Sequence, residues 1–216
     1  VVAIGNPLGL TGSLSSGYIS QVNKAIDIQD VPIIVPVLQL DITIAPGSSG
    51  GPLFNLASEV VGITNAGTDY GFNFAVPSNI AKRVAMSIIE KGYYRHPFVG
   101  FIGIELTPET ISNMNIINLE PFQTGLLIWE VIADTPAAQA GLNEVTETKD
   151  PQGKKAYLAR DIILAVDGHH TLSFADWNAY ISEYVSPGQT INLTMWRSGS
   201  ITSINVTTTY RQPYKG

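Results

Sequence analysis

A serine in a glycine-dense turn is the feature of this sequence with the clearest chemistry. The turn is Gly47-Ser48-Ser49-Gly50-Gly51, and it separates an apolar segment that ends near Ile44 from another that starts at Pro52. A nucleophilic hydroxyl must stand clear of the backbone, and nearby amides must converge on one point to hold an oxyanion. Glycines allow positive φ angles and the close approach of a substrate carbonyl. Ser49 is therefore a candidate nucleophile, although serine–glycine hairpin turns are also common in all-β proteins.

Short strands dominate the first part of the sequence. Segments rich in Val, Ile and Thr alternate with clusters of Gly, Pro, Asn and Ser, a pattern typical of antiparallel β-structure. The candidate strands are Val1–Gly5, Ser13–Val22, Val35–Ile42, Pro52–Asn55, Glu59–Asn65 and Gly71–Val76. A helix is predicted from Ser78, a candidate N-cap, to about Gly92, and Tyr93–Pro97 is predicted to be a linker.

A different pattern of mixed strands and short helices begins at Phe98. Its candidate strands are Val99–Leu106, Gly125–Ile132, Asp161–Val166, Thr190–Arg197 and Ile201–Tyr210. Helices are predicted at Pro108–Met114, Pro136–Ala140 and Ser173–Tyr184. The polar segment Asn143–Lys155 is predicted to be a loop that turns at Asp150-Pro151-Gln152-Gly153. Trp177 lies one helical turn before Ile181, and this spacing favours a core position for Trp177.

Composition excludes several classes of protein. The 216 residues are 44% hydrophobic and 14% charged, with a net charge of −6 and no basic stripe, so a nucleic-acid-binding surface is not predicted. No apolar run approaches the roughly 20 residues that a membrane-spanning helix needs. The absence of cysteine excludes disulfides and thiol catalysis. No residue pattern calls for a metal or an organic cofactor.

The residues around Ser49 resemble the HtrA/Deg family of trypsin-like serine proteases. The resemblance is carried, in chain order, by Val1–Leu10, Ser16–Ser20, Gln39–Leu53, Val61–Asn65 and Phe72–Asn79. It implies that residues 1–93 form the second barrel of a trypsin-like protease domain with a trailing helix. Such a barrel would leave the Val1–Leu10 face to be covered by another chain or by self-association, so a homo-oligomer is one expectation.

The later part of the chain resembles a PDZ domain of the HtrA type. The matching segments are Thr135–Leu142, Asp161–Gly168, Pro187–Thr190 and Ile191–Gly199. Arg160-Asp161 replaces the glycine-aspartate usual in the family, and Asn143–Ala159 has the appearance of an insertion. The implied fold is mostly β with some α: a trypsin-like six-stranded β-barrel, half of a two-barrel protease, followed by an α+β PDZ domain at residues 98–216.

The resemblance also implies roles for individual residues. The backbone N–H groups of Gly47 and Ser49 would form the oxyanion hole, with Ser48 at a position where the family often has asparagine. A substrate would pair as a strand with Asn65, Ala66 and Gly67, and the missing side chain at Gly67 puts a preference for a small aliphatic P1 residue in doubt. In the PDZ domain, a peptide C-terminus would bind the amides of Phe98, Val99, Gly100 and Phe101, and the peptide would add a strand beside Ile102–Leu106.

A catalytic base for Ser49 is not evident in the sequence. The family's triad follows the chain order His, Asp, Ser, and no histidine precedes Ser49. His96, His169 and His170 all follow it, and surface positions are predicted for them. Asp41 is not predicted to be the triad acid, because it has no histidine to orient. The resemblance therefore implies a base and an acid outside these 216 residues, and little activity for this chain alone.

The implied function is that of an ATP-independent serine endopeptidase of HtrA type, acting on misfolded or unfolded proteins through an acyl-enzyme on Ser49. Its partners would be unfolded polypeptides and peptide C-termini. The resemblance implies an extracytoplasmic location, whether periplasmic, at the cell surface or membrane-anchored. The alternative is a non-catalytic PDZ module that binds peptides or acts as a chaperone. A complete Gly47–Gly51 turn argues against that alternative, because a degenerate protease has no need of it.

Overall fold

The computed structural model of the chain describes residues 1–7, 12–28, 31–67, 73–114, 116–119 and 124–211. The chain divides into two units, Val1–Tyr94 and Arg95–Gly216. Strands outnumber helices in both units, in agreement with the predicted fold class. Among the described residues, no helix has the length and apolarity needed to cross a membrane.

Seven strands form one curled sheet in the first unit. They are β1 (Val2–Gly5), β2 (Ser13–Ser16), β3 (Tyr18–Ile28), β4 (Val31–Asp41), β5 (Pro52–Phe54), β6 (Val60–Gly67) and β7 (Asn73–Pro77). Their order in the sheet is β2-β1-β5-β6-β7-β4-β3, with antiparallel neighbours. Residues 71 and 72 of the predicted strand Gly71–Val76 lie outside the described part of the chain.

Gly17 joins the two ends of this sheet. It connects β2 to β3, which lie at opposite ends of the strand order, so the sheet must curl until its ends meet. A Cβ added at Gly17 would lie 2.1 Å from the carbonyl oxygen of Asp41, so only glycine fits this bend. The prediction of one continuous strand over Ser13–Val22 is therefore wrong at Gly17. If β2 and β3 are counted as a single bent strand, the barrel has six strands.

The interior of the curled sheet is aliphatic. Leu53 on β5 is fully buried, and it packs in a cluster with Ala3, Leu38, Leu40, Ile42 and Ala75. Burying a leucine stabilises a fold by about 1.5–3 kcal/mol, so β5 is held firmly beside the turn that precedes it. On the outside, Ile4 and Leu14 face each other across β1 and β2 and remain 39% and 64% exposed. The predicted covered face Val1–Leu10 includes residues 8–10, which lie outside the described residues.

The helix α1 (Ser78–Lys91) follows β7 and ends as the sequence predicts. Gly92 has a left-handed conformation with φ +79°, and its N–H donates to the carbonyl oxygen of Ile88 at 2.8 Å. The N-cap prediction is wrong, because Pro77 occupies that position and no side chain caps the helix. Ser78 is instead its first residue.

The second unit is built on a sheet with the order β16-β15-β13-β10-β9 and with β14 paired to β13. Its elements in chain order are β8 (Pro97–Phe98), β9 (Phe101–Glu105), α2 (Pro108–Asn113), β10 (Leu126–Val131), α3 (Pro136–Gln139), β11 (Thr146–Lys149), β12 (Lys155–Leu158), β13 (Asp161–Val166), β14 (His169–His170), α4 (Phe174–Tyr184), β15 (Thr190–Arg197), β16 (Ser200–Thr207) and β17 (Thr209–Tyr210). Pro97, predicted to end a linker, pairs instead with Tyr210.

Two apolar clusters lie on opposite faces of this sheet. Leu126 and Ile128 on β10 belong to one cluster, and Leu127 between them belongs to the other, as strand alternation requires. The helix α4 contributes Trp177 and Ile181 to the first cluster, so the core position predicted for Trp177 is confirmed. The second cluster is formed by Leu106, Ile116, Leu119, Leu127, Ala159, Ile162 and Trp196.

The loop predicted over Asn143–Lys155 is wrong, because this segment contains most of a β-hairpin. Strands β11 and β12 pair with each other, and the Asp150 carbonyl accepts from the Gly153 N–H at the predicted turn. Lys155 forms an exposed ion pair with Glu147 at 2.7 Å. The ring of Tyr157 packs against that of Trp129 with 4.6 Å between centroids.

Candidate active site

The turn that carries Ser49 starts with a hydrogen-bonded bend over Ala45-Pro46-Gly47-Ser48. The Ser48 N–H donates to the carbonyl oxygen of Ala45 at 3.1 Å, and Gly47 has φ +93°. A type II turn requires a positive φ angle in its third position, usually at a glycine, and proline is common in the second position. The bend therefore places Gly47 where a side chain would be strained, directly before the two serines.

Ser49 is exposed at the end of this bend, whereas Ser48 is buried with 9% exposure. The N–H of Ser48 is used within the turn, but neither Gly47 nor Ser49 donates a backbone hydrogen bond to any described residue. Two N–H groups on either side of Ser48 thus stay available beside an exposed hydroxyl. This is the pair of donors that the sequence predicts for an oxyanion hole, and Ser48 itself packs inward.

Thr64 on β6 holds the far side of the turn through both its backbone and its side chain. Its N–H donates to the Gly51 carbonyl at 2.8 Å, and its carbonyl accepts from the Gly50 N–H at 2.7 Å. Its hydroxyl lies 2.7 Å from the carbonyl oxygen of Ser48, and Thr64 is only 2% exposed. Sequence reasoning did not identify Thr64, and the one available signal was a polar residue at an inward position of an apolar strand.

Gly5 on β1 provides the surface on which Ser48 rests. A Cβ added at Gly5 would lie 2.3 Å from the Oγ and 2.6 Å from the Cβ of Ser48, with the Ser48 Cα at 3.2 Å. These distances are too short for any side chain at position 5 without a shift of the turn. The turn that carries Ser49 therefore depends on a close approach between two segments that are more than 40 residues apart in the sequence.

Gly5→Ala is expected to displace Ser48 and with it the neighbouring Ser49. In a serine-hydrolase assay of the whole encoded polypeptide, reaction of Ser49 with a fluorophosphonate should slow by about two orders of magnitude, the usual effect of losing one oxyanion donor. The double variant Gly5→Ala/Ser48→Gly removes the two closest contacts and should recover part of the rate. A Gly5→Ala protein that reacts at the wild-type rate would show that the turn is not seated on β1.

The predicted substrate strand Asn65-Ala66-Gly67 is the last part of β6. Strand β5 pairs with β6 only as far as Ile63, and β7 pairs with the opposite edge up to Gly67. The edge of residues 65–67 nearer the turn therefore has no partner strand among the described residues. Asn65 is exposed, and an extended peptide added there would lie beside Ser49.

The three histidines all belong to the second unit. His169 and His170 are exposed as predicted, and the His169 ring lies 4.8 Å from that of Tyr180. His96 is half-buried rather than on the surface, and its pKa is lowered by burial and by the nearby Arg211. Within the described ranges, no three His, Asp or Glu side chains gather in a way that could hold a metal ion.

The predicted carboxylate-binding loop lies at the start of the second unit's sheet. Phe98 belongs to β8, Val99 is buried in the core, and Gly100 has φ +97°. The Val99 carbonyl accepts from the Ala137 N–H at 2.8 Å, and the Gly100 carbonyl accepts from the Ile132 N–H at 3.0 Å and from the Thr135 hydroxyl at 3.1 Å. Both carbonyls therefore face the segment around α3.

The N–H groups of this loop point the other way. In a trans peptide the N–H lies opposite the carbonyl of the same unit, so the N–H groups of Gly100 and Phe101 face away from α3. Neither Val99 nor Gly100 donates a backbone hydrogen bond to a described residue. Strand β9 is also the last strand of its sheet, so a peptide could join its free edge.

Strand β9 and helix α4 approach each other closely along this edge. The Phe174 N–H at the start of α4 donates to the Glu105 carboxylate at 2.8 Å. The Phe101 and Trp177 rings meet edge to face at 5.2 Å between centroids. A Cβ at Gly103 would lie 3.1 Å from the Phe174 ring, so the glycine lets this ring lie against the strand. The surface of α4 that faces β9 is consequently aromatic.

Comparison with known families matches each unit separately. The model of the trypsin-like peptidase domain matches residues 1–63, and that of the PDZ domain matches residues 100–208. A probable periplasmic serine endoprotease DegP-like of Halomonas elongata is 35% identical over 212 residues, which are 96% of this chain and 40% of the relative. A putative serine protease HhoB of Synechocystis is 39% identical over 148 residues, covering 65% of this chain and 36% of the relative. The chain thus spans about two fifths of these relatives' length.

Solved structures match the fold over the whole chain. The HtrA-type protease AlgW with a decapeptide aligns with a TM-score of 0.69 and 27% identity, covering 99% of this chain and 60% of that one. The serine endoprotease from Yersinia pestis aligns with a TM-score of 0.56 and 26% identity, covering 98% of this chain and 62% of that one. The family matches thus identify a trypsin-like peptidase unit and a PDZ domain in one chain.

Proposed function

Because this chain belongs to the HtrA/Deg family of trypsin-like serine proteases with a PDZ domain, we propose that it is part of an ATP-independent serine endopeptidase in which Ser49 is the nucleophile. The observation that carries this proposal is the geometry of the turn. Ser49 is exposed between Ser48, whose N–H is bonded within the turn, and Gly50, whose N–H is bonded to Thr64. The N–H groups of Gly47 and Ser49 are left for an oxyanion.

These residues would perform the acyl-transfer half of the reaction. The substrate strand pairs with the free edge at Asn65–Gly67, which brings its scissile carbonyl to Ser49. The Ser49 Oγ attacks the carbonyl carbon, and the negative charge that develops on the oxygen is stabilised by the Gly47 and Ser49 N–H groups. The base that removes the Ser49 proton passes it to the leaving amine, which departs as the acyl-enzyme forms, and water then releases the acyl group.

The proton of Ser49 requires a base that this unit does not contain. No histidine occurs in residues 1–94, and the family's triad places His and Asp before the serine. We therefore assign the base and its orienting acid to sequence outside these 216 residues. The coverage of the relatives supports this assignment, since 60% of the Halomonas protein lies outside the matched region.

The second unit would select the substrates. Its loop N–H groups at Gly100 and Phe101, next to the free edge of β9, suit the carboxylate of a peptide C-terminus. Such ends and extended segments are exposed in misfolded or unfolded proteins, which we take as the substrate class. The periplasmic names of the DegP-like relatives support an extracytoplasmic location.

Active-site labelling with a fluorophosphonate tests the nucleophile. The whole encoded polypeptide should be labelled once, and Ser49→Ala should abolish the label, as measured by intact mass. Ser20→Ala, which changes an exposed serine on β3, is the matched control and should label like the wild type. The 216-residue chain alone should label far more slowly, because it lacks the base.

Absence of labelling in the whole polypeptide would contradict the proposal. It would favour the alternative, a peptide-binding module without catalysis, whose supporting observation is the free edge of β9. Equal labelling of the short and long chains would instead show that a group within these 216 residues activates Ser49.

A further inference from the structure

We infer that Thr64 is a positioning residue whose hydroxyl fixes the direction of the Ser49 N–H in the oxyanion hole. The inference rests on the proposed function, because it assigns a task within the same acyl-transfer site. Thr64 does not touch the substrate carbonyl. It acts through the peptide unit that joins Ser48 to Ser49.

The Thr64 hydroxyl has one proton and two carbonyl oxygens within reach. The Ser48 oxygen lies at 2.7 Å and the Gly51 oxygen at 3.1 Å. The Gly51 oxygen already accepts from the Thr64 N–H at 2.8 Å. The nearer Ser48 oxygen is therefore the main acceptor of the hydroxyl proton.

This bond determines the orientation of an entire peptide plane. The carbonyl of Ser48 and the N–H of Ser49 belong to the same planar trans unit and point in opposite directions. When the carbonyl points inward to Thr64, the N–H must point outward, to the side where Ser49 is exposed. Rotation of this plane would turn a carbonyl oxygen toward the developing oxyanion and repel it.

Other restraints on this plane are weaker. The hydrogen bond from the Ser48 N–H to Ala45 fixes the preceding peptide unit, not this one. The Ser48 oxygen has one further donor, the Gly51 N–H at 3.1 Å. Because Thr64 is only 2% exposed, water does not replace the hydroxyl once it is removed.

The test compares Thr64→Val, which is isosteric but lacks the hydroxyl, with Thr64→Ser, which retains it. Both are made in the whole encoded polypeptide, which is assayed for hydrolysis of a short peptide ester and for fluorophosphonate labelling. In Thr64→Val, kcat should fall about 10- to 100-fold, somewhat less than the loss of a complete oxyanion donor, while KM stays unchanged. Thr64→Ser should keep kcat close to the wild-type value.

A purely structural role would not produce this division between kcat and KM. Thermal unfolding of each variant identifies any loss of fold, and Thr64→Ala provides a second hydroxyl-free variant if valine does not fit. A folded Thr64→Val protein with wild-type kcat would overturn the inference and leave the proposed function intact. A wild-type polypeptide that neither hydrolyses the ester nor reacts with the probe would overturn the proposed function and the inference on Thr64 together. The assay of the wild type alone distinguishes this outcome from a failure of the inference.

Discussion

Asp161→Ala is expected to destabilise the second unit by about 1.5–3 kcal/mol, the usual net contribution of hydrogen bonds to a charged group. Asp161 is fully buried at the start of β13, and the Arg197 guanidinium donates to both of its oxygens, at 2.8 and 2.5 Å. The Asn143 N–H also donates to it, at 2.7 Å. The side-chain hydrogen bond to Asp161 raises the pKa of Arg197, so the guanidinium stays charged. Urea unfolding monitored by tryptophan fluorescence measures the loss.

The exposed pair of the hairpin is the matched control. Glu147 and Lys155 form an ion pair of similar length, but their side chains are 62% and 56% exposed. Glu147→Ala should therefore lower the free energy of unfolding far less than Asp161→Ala. If Asp161→Ala and Glu147→Ala cost the same, the hydrogen bonds of Asp161 do not stabilise the packing of β13 against β15 and the segment before the hairpin.

Gly100→Ala is expected to weaken peptide binding by the second unit strongly. A Cβ at this position would lie 2.3 Å from both the Cβ and the Oγ1 of Thr135, so the loop must move. The N–H groups proposed to receive the carboxylate would move with it. Loss of hydrogen bonds to a charged group corresponds to about 10- to 100-fold weaker binding. Binding can be measured with a decapeptide library that has free C-terminal carboxylates.

A variant at a second glycine is the control that distinguishes a steric clash from backbone strain. Gly153, in the hairpin turn, has φ +81°, but a Cβ there would meet nothing within 4 Å. Gly153→Ala carries a similar conformational strain and should leave peptide binding unchanged. The same library with amidated C-termini should bind weakly to the wild type. Equal binding of both libraries would contradict a carboxylate site at Gly100.

Strands with a high apolar content could be predicted from the sequence. Strands β13 and β15 have the predicted bounds, because their apolar residues are buried, those of β13 on both faces of the sheet and most of those of β15 on one face. The end of α1 could be predicted from Gly92, a residue that adopts the left-handed conformation at little cost. The resemblance to the HtrA/Deg family located Ser49 and the β9 loop.

The hairpin of β11 and β12 could not be predicted in this way. All four residues of β11 are exposed, so neither face has the alternation that distinguishes a strand from a loop. What stabilises the hairpin is specific to individual pairs, such as Lys155 with Glu147 and Tyr157 with Trp129. Such contacts depend on the register of the paired strands, which cannot be deduced from the composition of the segment.

The residues that support Ser49 were hidden for a different reason. Gly5 lies on β1 and Thr64 on β6. Both are distant from Ser49 in the sequence, so no local pattern predicts that they contact its turn. Only the strand order, with β5 between β1 and β6, brings both to the turn. The local sequence pattern therefore indicated the candidate nucleophile but not the residues that support it.

The same strand order has a consequence for how the protein matures. The turn connects β4 to β5, which are not neighbours in the sheet, and its contacts reach Gly5 on β1 and Thr64 on β6. Non-local pairings of this kind form late in folding, after the entropy of closing long loops has been overcome. A chain still folding thus has no assembled Ser49 turn. Under the proposed function, proteolytic competence would arise only when the barrel is complete, and newly made copies would not cleave one another before then.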